Sequence, residues 1–166
     1  MMEIYLEMLE AKHFQALLQF EKENRDYFEK SVPGRGESYY YFETFTKIQR
    51  TLIEEQIVGT SYFYLVKNFD GVIIARVNAV DIDNEEKSAH VGYRVGEAAS
   101  GKGVAKNAVQ LLMSELREKG ITRLYAKTTP SNIGSQRVLE NNGFVRVESS
   151  EKIETLEFVH YEWIAD

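Results

Sequence analysis

The sequence predicts an α/β fold: a single domain over residues 1–166, built on a mixed, mostly antiparallel, twisted sheet of about seven strands flanked by about four helices. Three observations carry this expectation. Stretches of period-two alternation and stretches of helical spacing take turns along the chain. Three strand-like stretches follow one another in its middle with only short turn signals between them. A glycine-rich turn then joins the last of the three to a long amphipathic stretch.

Taken in order, Ile4 to Met8 alternates as a short strand, and Ala11 to Glu23 places Phe14, Leu17, Leu18 and Phe20 at helical spacing. Arg25 to Glu37, with Ser31, Pro33, Gly34 and Gly36, reads as a loop, and Tyr39 to Ile57 as a helix through Phe42, Phe45, Ile48, Leu52 and Ile53. Thr60 to Val66, Val72 to Val80 and Ser88 to Val95 are rich in Val, Ile, Tyr and Phe. Turn signals at Asn68 to Gly71 and Asp81 to Glu86 separate them, so they form an antiparallel meander. After Gly96 to Lys106, a helix to about Lys119 sets Val104, Ala108, Leu111, Leu112 and Leu116 on one face and ends at Gly120, a C′ glycine. Ile121 to Thr129 is a strand, Asn132 to Asn142 a short helix stopped by Gly143, and Phe144 to Ser150 and Ile153 to Ile164 are the closing strands.

Composition narrows the function classes. A 43% hydrophobic content over 166 residues supports one substantial core, and no low-complexity tract or long run of like charge suggests a linker. No apolar stretch of about 18 residues occurs. Glu3, Glu7 and Glu10 stand where a signal peptide would be basic and then apolar, so a soluble, cytoplasmic protein is expected. Without cysteine there is no disulfide, thiolate metal site or cysteine nucleophile, and no metal is expected. A net charge of −6 argues against nonspecific nucleic-acid binding, which rests on clustered Lys and Arg, and leaves room for a cationic or amine substrate.

The segment Gly96 to Lys106, GEAASGKGVAK, has the makings of an anion site. Glycine lets backbone approach a ligand, and the first N–H groups of the following helix lack intrahelical partners and point toward a phosphate. Gly96-x-x-x-x-Gly101-Lys102 matches all of a nucleotide P-loop except its last position, which is Gly103 where Ser or Thr would hold Mg²⁺. A dinucleotide fingerprint fares worse, because Lys106 stands where a third glycine or alanine is required and the preceding strands are antiparallel. A tight turn without ligand is the remaining alternative.

A different register, Ser100-Gly101-Lys102-Gly103-Val104-Ala105, resembles the acetyl-CoA signature R/Q-x-x-G-x-G/A of the GNAT family of N-acetyltransferases. Downstream, Asn132-Ile-Gly-Ser135-Gln-Arg137-Val-Leu-Glu-Asn-Asn-Gly143-Phe144 is similar to the N-x-x-S-x-R segment of the branch containing ribosomal-protein N-terminal acetyltransferases. The two motifs stand one helix and one strand apart, as in that family, and the element order from Ile4 to Ile164 matches its fold. Ser100 departs from the pattern, replacing the usual Arg or Gln at a position that contributes through its backbone.

The resemblance implies acetyl-CoA as cosubstrate and a primary amine as acceptor. The N–H groups of Gly101, Lys102, Gly103, Val104, Ala105 and Lys106 would hold the coenzyme pyrophosphate, with Lys102 and Lys106 adding charge unless they are plain surface residues. Tyr93, Arg94 and Val95 would splay from the Ile121 to Thr129 strand and pair with the pantetheine arm as an added strand would. Asn132 contacts the coenzyme in relatives and can equally cap its helix. The tyrosine that many relatives use as proton donor to the departing thiolate is Leu139 here; in the ribosomal-protein branch a serine at the Ser135 position is the implied donor and this chain keeps it, a plain place in the first turn of the helix being the alternative. His90 stands where a glutamate base often does; a structural role for it, a water relay and a distant glutamate are the alternatives, and His13 and His160 have weaker cases. Tyr39, Tyr40, Tyr41 and Phe42 lie where relatives shape the acceptor pocket, or are core. The acceptor stays open between a protein N-terminal amine and a polyamine, amino acid or antibiotic. A coenzyme-A-binding sensor without catalysis is the competing class. A free edge strand is expected, and relatives often dimerise, so a homodimer is open too.

Overall fold

The computed structural model describes residues 3–148, 152–153 and 156–166. Strand β1 (Ile4–Met8) leads through a 3-10 turn, Ala11–His13, into α1 (Phe14–Glu23), followed by the short α2 (Arg25–Glu29), a second 3-10 turn at Glu37–Tyr40, and α3 (Phe42–Val58). Then come β2 (Tyr62–Asn68), β3 (Ile73–Asp83), β4 (Ser88–Val95), α4 (Val104–Glu118), β5 (Arg123–Thr128) and α5 (Ile133–Asn141). The chain closes with β6 (Val145–Val147), β7 (Lys152–Ile153), β8 (Leu156–Glu157) and β9 (Val159–Ile164).

Seven strands make one sheet in the order β1-β2-β3-β4-β5-β9-β6. Strands β1 to β4 form the expected meander, with Leu6 opposite Val66, Val66 opposite Ala75 and Ala75 opposite Val95. The β4–β5 pair is parallel and short, running from Ser88 opposite Arg123 to His90 opposite Tyr125, where pairing stops. Strand β5 then pairs antiparallel with β9 from Arg123 opposite Ile164 to Thr128 opposite Val159.

Period-two alternation divides the sheet into two buried faces. Tyr64, Val66, Ala75, Val77 and Val91 pack with Val104, Ala108, Val109, Leu112 and Leu116 of α4. On the opposite face, Phe63 and Leu65 pack with Leu17, Leu18, Phe20, Phe28, Tyr39 and Phe45 of the α1–α3 layer. Leu111, expected in the α4 stripe, is 36% exposed, and Val109 takes its place. Leu111 sits about 100° from Leu112 around the helix, beyond the edge of the stripe that Leu112 centres.

Three segments depart from the sequence expectation. Arg25 to Glu37 is only partly loop, because α2 forms where Arg25 Nε donates to Glu29 Oε2 at 2.9 Å and Phe28 is buried. The described residues therefore hold five α-helices rather than about four. Of the strand expected from Phe144 to Ser150, Val145–Val147 forms β6, and 149–150 lie outside the described residues. The strand expected from Ile153 to Ile164 is divided: β7 and β8 pair with each other as a separate ribbon, only β9 joins the main sheet, and 154–155 lie outside the described residues.

Candidate active site

Beyond His90 the β4 and β5 strands separate, and a cleft of about 820 Å³ opens between residues 91–95 and 126–129. Its remaining walls come from the glycine turn, the first turn of α4, α5, and Tyr27 and Phe28 of α2. Strands that part in this way leave main-chain groups unpaired along both lips, the arrangement that accepts an extended ligand as an extra strand.

The glycine turn sorts its glycines by what each must do. Gly101 and Gly103 have φ of +72° and +78°, and a Cβ on either would meet nothing within 4 Å. Conformation, not crowding, demands glycine there, and the space above the turn is open. Gly103 is the N-cap residue of α4, with no side chain capping it, so the first N–H groups of a fifteen-residue helix face that space. Gly96 differs: a Cβ on it would approach Phe20 Cε1 at 3.0 Å and Ile74 O at 3.2 Å. Its role is close packing onto β3 and α1, which removes it from the anion loop and disposes of the P-loop register. Asn24 Oδ1 accepts from Glu97 N at 2.9 Å and ties the start of the turn to the α1–α2 junction.

Helix α5 brings a side chain to the cleft. Asn132 Oδ1 accepts from the Ser135 N–H at 3.0 Å, a cap that sets the first turn. Ser135 Oγ then lies 2.8 Å from the Tyr93 hydroxyl across the cleft. Burial pushes the Tyr93 phenol above its ordinary range, opposed by the hydrogen bond to Ser135. At the far end Asn142 Nδ2 donates to Lys106 O at 3.1 Å and latches α5 to the start of α4. Leu139 is buried beneath.

Of the residues singled out in the sequence, Tyr93, Arg94 and Val95 line the cleft from β4, Gly101, Gly103, Val104, Ala105 and Lys106 from the turn and α4, and Asn132 and Ser135 from α5. Lys102 is exposed and is not among the lining residues. His90 is exposed, its ring tilted by 35° against that of Tyr125 with centroids 5.1 Å apart, and lies at the point where the two strands part rather than beside Ser135. Two contributions escaped the sequence reading. The Tyr93 side chain, read there only through its backbone, pairs with Ser135, and alternation along β4 was the available signal. The second is a cluster on the other face.

That cluster surrounds Glu21, which is fully buried in α1. Glu21 Oε1 accepts from Arg35 Nη1 at 3.0 Å and from Arg94 Nη1 at 3.2 Å, and Oε2 accepts from Arg76 Nη1 at 3.4 Å. Arg76 also donates to Gln49 Oε1 at 3.0 Å, and Arg35 to the Tyr39 hydroxyl at 2.6 Å. Burial pulls the Arg94 guanidinium below its usual range, the nearby Arg35 charge adds to this, and Glu21 opposes it. Arg35, Tyr39, Gln49, Arg76 and Arg94 border a second cavity of about 410 Å³, which shares Tyr93 and Arg94 with the cleft. Tyr39 belongs to it and Tyr40 is buried with its ring edge-on to that of Tyr39, whereas Tyr41 and Phe42 are exposed.

A sheet that splits at a parallel pair, with a glycine-capped helix facing the split, has the architecture of an acyl-coenzyme A transferase. Residues 3–145 match the acetyltransferase (GNAT) domain, and the chain belongs to that family. It is 31% identical over 147 residues to the probable N-acetyltransferase YjcK of Bacillus subtilis strain 168, a match covering 85% of this chain and 80% of that protein. The ribosomal-protein-S5-alanine acetyltransferase of Vibrio fischeri superposes with a TM-score of 0.90 at 19% identity, over 98% of this chain and 93% of that one. RimL, a ribosomal L7/L12 alpha-N-protein acetyltransferase solved with coenzyme A, gives 0.88 at 23%, over 98% and 94%. The chain is thus similar to N-acetyltransferases in sequence and to ribosomal-protein acetyltransferases in fold, and it is an acetyl-CoA-dependent N-acetyltransferase. Among the described residues no helix is long and apolar enough to cross a membrane.

Proposed function

We propose that the protein transfers acetyl from acetyl-CoA directly to a primary amine in a ternary complex, with a protein N-terminal amine as the class that its solved neighbours' names suggest. The observation that carries the reading is the Tyr93–Ser135 pair placed across the cleft from the glycine turn. Acetyl-CoA supplies an activated thioester, so the N–C bond forms as the C–S bond breaks without an enzyme nucleophile, in keeping with a chain that has no cysteine.

Each residue then has a task. The open N–H groups from Gly101 to Lys106 hold the pyrophosphate, which fits two positive-φ glycines with free space above them. Main chain of β4 from Tyr93 to Val95 holds the pantetheine arm and aims N–H groups at the charge developing on the acetyl oxygen. Asn132 fixes the first turn of α5 and, as a residue of the cleft wall, is in place to contact the coenzyme. His90, on the same face of β4 as Arg94, accepts the proton leaving the ammonium through water. The Tyr93 and Ser135 hydroxyls lie 2.8 Å apart; in this reading Tyr93, its phenol pushed up by burial, is the donor of that bond, which leaves the serine hydrogen for the departing sulfur.

The test follows thiol release with peptides bearing N-terminal Ala or Ser, spermidine and free amino acids as acceptors. Ser135→Ala is expected to lower kcat about 10²-fold while acetyl-CoA still binds. Because the raised Tyr93 group donates as the neutral phenol, activity is retained past the ordinary tyrosine value of about 10 and lost as pH rises through the higher one, a limb that Tyr93→Phe removes. A wild-type protein that binds acetyl-CoA and acetylates none of these amines would overturn the reading. Turnover of small amines with no peptide accepted would remove the protein-amine proposal alone.

A further inference from the structure

We infer that the acceptor amine carries a carboxylate a few bonds from its nitrogen, and that Arg35, Arg76 and Arg94 hold this carboxylate in the second cavity. The inference rests on the acetyl-transfer reading above and concerns the other half of the same site. The cavity lies on the α1–α3 face of the sheet, where Arg76 and Asn78 of β3 and Arg94 of β4 form its floor and Arg35, Tyr39 and Gln49 its side. Tyr93 and Arg94 wall both spaces, so an anion against Arg94 sits on β4, the strand that also bounds the transfer cleft, one residue along from Tyr93.

Charge decides what the cavity accepts. Three guanidiniums line it, whereas the one carboxylate that neutralises them, Glu21, is fully buried behind them and is not a lining residue. Among the described residues no Asp or Glu borders the cavity, so it presents an excess of two positive charges, three Arg less one Glu. Each guanidinium also keeps donors in reserve. Arg35 engages Glu21 and Tyr39 through Nη1 alone, and Arg94 engages Glu21 through Nη1 alone. Glu21 bonds to all three side chains, and the rings of Tyr39 and Phe28 lie under Arg35 and Arg94 at 4.7 and 4.6 Å. The forks are held in place before a ligand arrives, as bidentate recognition of a planar anion requires. A polyamine would meet like charge here, although the whole chain is acidic at −6.

A free α-amino acid and a peptide with N-terminal Asp or Glu offer the same amine and carboxylate, and the experiment separates them. Specificity constants are measured for matched pairs: free amino acids against their amides, peptides beginning with Asp against the same peptides beginning with Asn, and spermidine. The expected result is a preference of about tenfold or more for the carboxylate member of one pair, which names the source, and a fall of that preference toward unity in Arg35→Gln. Arg35 does not border the transfer cleft, so acetyl-CoA binding by this variant reports an intact fold. Equal use of both members of every pair, or a preference for spermidine, overturns the carboxylate inference while acetyl transfer stands. Binding of acetyl-CoA with no amine consumed overturns the transfer reading and this inference together.

Discussion

The two faces of the sheet present different kinds of surface to a ligand. On the α4–α5 face the cleft is drawn mostly in main chain: two glycines at positive φ, a helix start, and the unpaired lip of β4. On the α1–α3 face the cavity is drawn in side chains, three guanidiniums gathered from residues 35, 76 and 94 around one carboxylate. Main-chain recognition tolerates sequence change as long as backbone geometry survives, which is why Ser100 can depart from the family signature without disturbing the turn. Side-chain recognition is free to change acceptor with a single substitution. One face therefore suits the cosubstrate and the other the substrate that varies.

The sharpest way to break this comparison is Glu21→Gln. It keeps the shape and an accepting oxygen but leaves three guanidiniums facing no anion, and a cost of about 3 kcal/mol in stability is expected from the uncompensated buried charge. Urea unfolding measures it. The matching change on the opposite face, Lys102→Gln in the exposed turn, should leave the unfolding midpoint where it is, because no buried partner depends on that lysine. If both variants unfold alike, the α1–α3 face is not organised by Glu21.

A smaller effect is expected at Gly103. Alanine in the left-handed region costs about 1–2 kcal/mol, and the open space around this position means that no clash adds to it. The free protein can relax by turning the loop out of that region, and binding must turn it back, so the cost falls on affinity. Gly103→Ala should weaken acetyl-CoA binding about tenfold, as about 1.4 kcal/mol implies, with little change in kcat at saturation. Gly103→Asn, which tolerates the conformation better, should lose less. Titration calorimetry that found unchanged affinity in both variants would show that the turn does not hold the ligand.

The same contrast explains what the sequence disclosed. The meander, the glycine turn and the capped α5 are local: alternation within eight residues, glycines two apart, and a cap three residues from its partner are all visible along the chain. Helix α2 was missed because Gly34, Gly36 and Pro33 downstream dominate a stretch whose first five residues are stabilised by an Arg25–Glu29 contact and a buried Phe28. Leu111 was misplaced because a stripe read as one face does not say where the stripe ends. The Glu21 cluster was invisible for a different reason. Its members lie in α1, the loop and 3-10 turn after α2, α3, β3 and β4, so no window of sequence contains it and only the folded sheet assembles it. The Tyr93–Ser135 contact spans 42 positions and has the same character.

The finest test compares one residue type on the two faces. On the α1–α3 face the Tyr39 hydroxyl accepts from Arg35, and Tyr39→Phe should cost about 1 kcal/mol. On the α4 face the Tyr64 hydroxyl is buried without a hydrogen-bond partner among the described residues, so Tyr64→Phe should be neutral or stabilising by up to about 1 kcal/mol near neutral pH. Alkaline pH enlarges the difference. Burial pushes the Tyr64 phenol up to about 12, so between the ordinary value of about 10 and that point the folded state keeps a proton that the unfolded chain releases. Folded protein then binds more protons than unfolded, and stability falls as pH rises through this window, by at most about 1.4 kcal/mol per pH unit from this group. Tyr64→Phe lacks that loss, so its advantage over wild type should widen from pH 10 upward in chemical denaturation. A constant gap across the window would mean that the α4 face admits water to Tyr64, and that the two faces differ less in how they treat a polar group than their linings suggest.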